Sequence, residues 1–130
     1  MAETGKRKIL VIDDEPDVVA FLTTLLEDNG YATVSALTGI EAMAQIRASP
    51  PDLVTLDISM PEQSGVKTYR EMKTDPKLAR IPVIIVTGIS DDFQKFISSR
   101  KAVPPPEGYL SKPIDKTTLL ATIQRLLQVP

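Results

Sequence analysis

Four short apolar runs rich in β-branched residues mark the chain: KILVID over 8–13, ATVSAL over 32–37, DLVTLD over 52–57 and PVIIVTG over 82–88. EGYLSK, over 107–112, is a weaker fifth. The runs Ile9–Ile12 and Val83–Val86 are continuous rather than alternating, the pattern of parallel strands covered on both faces. Between these runs the apolar period changes to that of a helix. In 16–29, Val18, Phe21, Leu22, Leu25 and Leu26 form a stripe, Pro16 suits the first turn and Asn29-Gly30 supplies the stop. A second helix is expected in 38–49, with Ile40, Met43, Ala44 and Ile46 or Arg47 facing inward before Pro50-Pro51 breaks it. A third covers 65–74, with Val66, Tyr69 and Met72 near one face. A fourth starts at a Ser90 cap, carries Phe93, Phe96 and Ile97 inward and ends by about Ala102, because Val103 precedes a proline. The last, 115–128, has Asp115 as its cap and Leu119, Leu120, Ile123, Leu126 and Leu127 as its stripe.

Strand and helix thus alternate five times with short connections. That order gives a parallel sheet with helices on both faces, joined by right-handed crossovers, in one α/β domain. No repeat, low-complexity tract or linker interrupts it, so one domain spanning 1–130 with a core of about 8–128 is expected. No DNA-binding, ATPase or cyclase segment follows Pro130, so no effector domain is expected in this chain.

Composition narrows the chemistry. The chain has no cysteine and no histidine, which excludes disulfides, thiolate metal sites and catalytic pairs built on histidine. A net charge of −2 argues against nucleic acid as the ligand, which calls for a basic face. No apolar run approaches the roughly 20 residues of a membrane span, and the basic N-terminal cluster precedes an apolar run too short for a secretory signal. The expectation is a cytoplasmic protein with no membrane contact.

In a parallel sheet, ligands sit outside the carboxyl ends of the strands. Asp13 and Asp14 end the first strand, Asp57 the third, Thr87 the fourth and Lys112 the fifth, while the second ends in Ala36-Leu37 and adds nothing polar. Three carboxylates brought together repel unless positive charge intervenes. Lys112 compensates one, and a divalent cation would compensate the rest. With neither His nor Cys present, an oxygen-only donor set suits Mg²⁺, which also binds phosphate oxygens. A carboxylate is a competent phosphoryl acceptor, so the set suggests Mg²⁺-dependent phosphoryl chemistry with an aspartate nucleophile. Taken singly each residue has a plainer role: Asp-Asp as turn and helix cap, Asp57 as a solvated loop residue, Thr87-Gly88 as a strand exit, Lys112 as a surface lysine. Their coincidence at successive strand ends favours the joint reading.

The stretches VIDDEPD, LVTLDISMPEQSG, VIIVTG and YLSKP make the chain resemble, over about 8–128, the receiver domain of two-component response regulators, including the chemotaxis regulators. The resemblance implies a flavodoxin-like doubly wound (βα)5 fold with strand order 2-1-3-4-5. It implies that Asp57 accepts a phosphoryl group from a histidine kinase or phosphotransfer protein, so that the chain is a signalling phosphoacceptor and not an enzyme, with self-phosphorylation and slow autodephosphorylation only. It further implies that Asp14 ligates Mg²⁺ directly, Asp13 largely through water, and that Asp57 and the Ser59 carbonyl complete the protein ligands. Thr87 and Lys112 would contact the phosphoryl oxygens, Tyr109 would be the switch aromatic, and the Lys112-Pro113 bond would be cis. The output face would comprise the helix of 90–102, the fifth strand and the last helix, addressing a downstream protein; a homodimer stays open. Ser59 and Ile89 would line the path of the hydrolytic water, and Gly88 would leave the pocket open to a donor.

Two other classes compete. An aspartate-nucleophile phosphatase of the haloacid dehalogenase type uses Asp-x-Asp, but position 59 is serine. A flavodoxin-like electron carrier shares the topology, but no Ser/Thr-rich phosphate loop follows the first strand and no Trp is present to stack on a flavin. One stretch departs from the family: Pro104–Pro106. It reads as a stiff connector that lowers loop entropy, or as a preformed ridge beside Tyr109 that a partner could recognise.

Overall fold

The computed structural model describes residues 6–60, 64–88 and 106–127. In chain order the elements are β1 (Lys8–Ile12), α1 (Pro16–Asp28), β2 (Ala32–Ala36), α2 (Gly39–Ala48), β3 (Leu53–Asp57), α3 (Ser64–Thr74), β4 (Val83–Thr87), β5 (Gly108–Ser111) and α4 (Lys116–Leu127). The five strands are all parallel and lie in the order β2-β1-β3-β4-β5, as expected. The helix expected over 90–102, Ile89, and Pro104 and Pro105 lie outside the described residues.

The continuous apolar runs are explained by the two layers they serve. From β1, Leu10 and Ile12 pack with Met43, Ile46, Tyr69 and Met72 beneath α2 and α3. The alternate residues Ile9 and Val11 pack with Leu22, Leu26, Leu119 and Ile123 beneath α1 and α4. Each fully buried aliphatic side chain contributes roughly 1.5–3 kcal/mol over an exposed one, so neither face of a strand can turn polar cheaply. No helix among the described residues is long and apolar enough to cross a membrane.

Helix ends follow local chemistry. Gly30, at φ 93°, ends α1: its N–H donates to the Glu27 carbonyl and that of Tyr31 to the Leu26 carbonyl, a left-handed closure that glycine adopts without strain. Thr38 caps α2 by accepting from the Glu41 N–H at 3.1 Å. Asp115 caps α4, accepting from the Thr118 N–H at 3.1 Å and from its hydroxyl, and these bonds hold its carboxyl below the ordinary range.

Three inward-facing assignments need correction. Ile40 is 87% exposed and Ala44 is exposed; the buried residues of α2 are Gly39, Ala42, Met43 and Ile46. The helical period holds, but the buried stripe lies one position earlier than expected. Phe21 is likewise exposed at the margin of the α1 stripe, with the Lys116 ammonium 5.8 Å from its ring centroid.

An ion pair absent from the sequence reading fixes the amino end of β5. Lys73, in the last turn of α3, has its side chain 1% exposed and donates to the Ala79 and Ile81 carbonyls at 3.2 and 3.1 Å and to both Glu107 carboxylate oxygens at 3.0 and 2.9 Å. Glu107 also accepts from the Val83 N–H at 2.8 Å, while its own N–H donates to the Val83 carbonyl. This clamp ties α3, the segment before β4, and β5 together at the edge opposite the acidic cluster.

Candidate functional site

Parallel pairing brings the strand ends level. Ile12 pairs with Leu56, Asp57 with Val86, and Thr87 with Ser111. Asp13, Asp57 and Lys112 therefore emerge at one edge from three different strands. Asp13 and Asp57 are both buried, and each is oriented by an N–H two residues on: Glu15 N to Asp13 Oδ1 at 3.0 Å, Ser59 N to Asp57 Oδ1 at 2.8 Å. The other oxygen of each faces Lys112, whose Nζ lies 3.2 Å from Asp13 Oδ2 and 3.4 Å from Asp57 Oδ2.

Lys112 reaches inward from the segment after β5, followed by a cis bond to Pro113 as the resemblance implied. Beside it, a Cβ at Gly88 would meet the lysine stem at 3.8–3.9 Å, an ordinary contact. Gly65 is far more constrained. A Cβ there would lie 2.4 Å from the Asp57 carbonyl oxygen and 2.6 Å from Ile58 Cα. The start of α3 thus rests directly on the backbone that carries Asp57, a contact only glycine permits.

Charge is unbalanced at this edge. Burial pushes the Asp13 carboxyl above the ordinary range, and the Asp57 charge adds to this, against the lowering effect of the Glu15 N–H and the Lys112 ammonium. Burial alone would depress Lys112, but the charges of Asp57 and Asp13, and its hydrogen bonds to both, raise it above the ordinary lysine value. One ammonium does not neutralise this many carboxylates. Asp13, Asp14 and Asp57 each offer an oxygen within 4.8 Å of the others. That oxygen-only donor set fits a hard divalent cation.

The structure therefore brings together Asp13, Asp14, Asp57 and Lys112, and seats Ser59 in the turn after Asp57. Thr87 is the last residue of β4, at the same edge; the predicted role of its hydroxyl lies outside the described residues. Tyr109 is half-buried on β5 opposite Ile85 and packs against the α2/α3 side of the core. The sequence reading missed Gly65 and Glu15. Gly65 carried a signal, a glycine at the start of a helix directly after the Asp57 loop. Glu15, whose Oε1 lies 3.5 Å from Lys112 Nζ, carried none beyond adjacency to Asp14.

Comparison with known proteins agrees with this geometry. The sequence model for the response regulator receiver domain matches residues 9–124. Protein PilH of Pseudomonas aeruginosa is 37% identical over 120 residues, covering 92% of this chain and 97% of PilH. The polar-differentiation response regulator DivK of Brucella ovis is 32% identical over 121 residues, covering 93% of this chain and 96% of DivK. Among solved structures, the signal receiver domain of a signal transduction histidine kinase from Syntrophus aciditrophicus superposes with a TM-score of 0.83 at 31% identity, covering 94% of this chain and 90% of that one.

Proposed function

The chain belongs to the response regulator receiver domain family, the phosphoacceptor switches of two-component signalling, and on that premise we propose that Asp57 is the residue that accepts the phosphoryl group. The observation that carries the proposal is the position of Lys112, within 3.4 Å of both Asp13 and Asp57 carboxylates at the carboxyl edge of the sheet.

Receiver domains bind Mg²⁺ through an acidic pocket. Here Asp13, Asp14 and Asp57, with the Ser59 carbonyl, are the residues that would hold it. When bound, the cation supplies positive charge that neutralises the phosphoryl oxygens. The chain's own residues do the rest. The Ser59 N–H holds one oxygen of Asp57, fixing the carboxylate plane. The bond from an Asp57 oxygen to phosphorus forms as the donor's P–N bond breaks, and the donor histidine leaves as neutral imidazole with its proton on the other ring nitrogen. Because this chain has no histidine, that donor is another protein, a histidine kinase or a phosphotransfer protein. Lys112 and Thr87 contact the phosphoryl oxygens. The chain acts as a signalling phosphoacceptor, with slow autodephosphorylation as its only turnover.

Phosphorylation replaces a charge near −1 by one near −2. Thr87 is drawn to the added oxygens, space opens for Tyr109 to turn inward, and a pre-existing two-state equilibrium shifts. The readout face is β5 with α4 and the segment between β4 and β5, and its ligand is a downstream protein. The test is intact-mass spectrometry after incubation with a small phosphodonor and Mg²⁺. The wild-type chain gains one phosphoryl group and Asp57→Ala gains none; equal gain by the variant overturns the assignment.

A further inference from the structure

Glu15 occupies the N-cap position of α1, yet its side chain makes no capping hydrogen bond. N-cap side chains ordinarily accept from the first turn of their own helix. This one leans the other way, placing Oε1 3.5 Å from Lys112 Nζ. Lys112 thereby has a third carboxylate besides Asp13 and Asp57, and of the three only Glu15 is open to solvent, at 64% exposure against 2–3%. The Lys112 side chain is itself 21% exposed. An anionic donor drawn to the Lys112 ammonium therefore meets the Glu15 charge beside it.

We infer that Glu15 is a specificity-determining residue that selects phosphodonors by charge, partly neutralising Lys112 and repelling free dianionic donors. The inference rests on the Asp57 phosphoacceptor reading. A charge at the mouth of a site changes the free energy of approach of a charged ligand in proportion to the ligand's own charge, and salt weakens the effect. A free acyl phosphate arrives as a dianion and feels Glu15 most. A phosphoryl group on nitrogen with the nitrogen protonated is a monoanion and feels it less. The residue thus biases the switch toward a nitrogen-linked donor and insulates it from free acyl phosphates.

Two small donors test this. With acetyl phosphate, the Asp57 oxygen bonds phosphorus as the P–O bond breaks, and acetate leaves as an anion. With phosphoramidate, the P–N bond breaks and ammonia leaves with its three protons. The readout is the ratio of the two rate constants, acetyl phosphate over phosphoramidate, measured with Mg²⁺ by intact mass. This ratio is internal to each variant, so a change in stability or folded fraction cancels. We expect the ratio to rise about three- to tenfold in Glu15→Gln, to rise further in Glu15→Lys, and for added salt to narrow the gap from wild type. A ratio within twofold of wild type in both variants, or a fall, overturns the inference while leaving the Asp57 assignment intact. Failure of the wild-type chain to accept a phosphoryl group from either donor overturns both.

Discussion

The two ends of the sheet each hold a lysine paired with acid, and the contrast between them separates stability from function. At the amino edge, Lys73 is buried and meets two carbonyls and both oxygens of one carboxylate at 2.9–3.2 Å. At the carboxyl edge, Lys112 is partly exposed and shared among three different carboxylates at 3.2–3.5 Å. The first cation is satisfied and has no capacity left for a ligand. The second faces more negative charge than it can balance, the excess lying on carboxylates that could hold a divalent cation. Where charge is matched the chain is held together; where it is left unmatched the chain can respond.

The contrast breaks or stands on variants of each lysine. Lys112→Met is expected to slow phosphorylation of Asp57 about 100-fold, the usual cost of removing one charge-stabilising group from a transfer site. Lys73→Met should leave the rate per folded molecule within about twofold, a difference read by pairing intact-mass kinetics with the folded fraction. Stability should respond in the opposite sense. Glu107→Ala strands the Lys73 ammonium and should lower the unfolding free energy by about 3 kcal/mol, read as a fall in urea midpoint. The double variant Lys73→Met/Glu107→Leu removes both charges but takes the side-chain partners from the Ala79 and Ile81 carbonyls and the Val83 N–H, so it should recover only part of that loss. Gly65→Ala sharpens the comparison because it links the two properties. Its Cβ collides with the Asp57–Ile58 backbone, so it should cost about 1–3 kcal/mol and slow phosphorylation as well.

The smallest effect is a pH dependence. Asp13 has a folded-state value raised above the ordinary 3.8, so between that value and the raised one the folded chain binds the proton better than the unfolded chain. The contribution of Asp13 therefore favours folding as pH falls through this window and turns against it as pH rises. Asp13→Asn should remove that slope and be more stable than wild type near neutral pH, measured as the melting temperature across the acid range.

Much of this was legible from the chain. Apolar runs closed by Asp13-Asp14, Asp57, Thr87 and Lys112 declare both a parallel sheet and which residues stand at its carboxyl edge, because strand ends are local features and a parallel sheet aligns them. Helix phase was less legible: Ile40 and Phe21 lie at helical spacing, but which stripe turns inward depends on caps and on the approach to the sheet. The Lys73–Glu107 clamp was not legible, since its partners are 34 residues apart and each looks like an ordinary surface charge. Gly65 shows its purpose only once the Asp57 backbone is seen beneath it.

The identity of the accepting residue is the central claim, and one measurement reads it directly. After phosphorylation with a small donor and Mg²⁺, borohydride reduction converts an aspartyl phosphate to homoserine, and peptide mass mapping locates it. The account predicts homoserine at position 57 and nowhere else. Homoserine at position 13 or 14, or an unmodified position 57 in a chain that has gained a phosphoryl group, would contradict it.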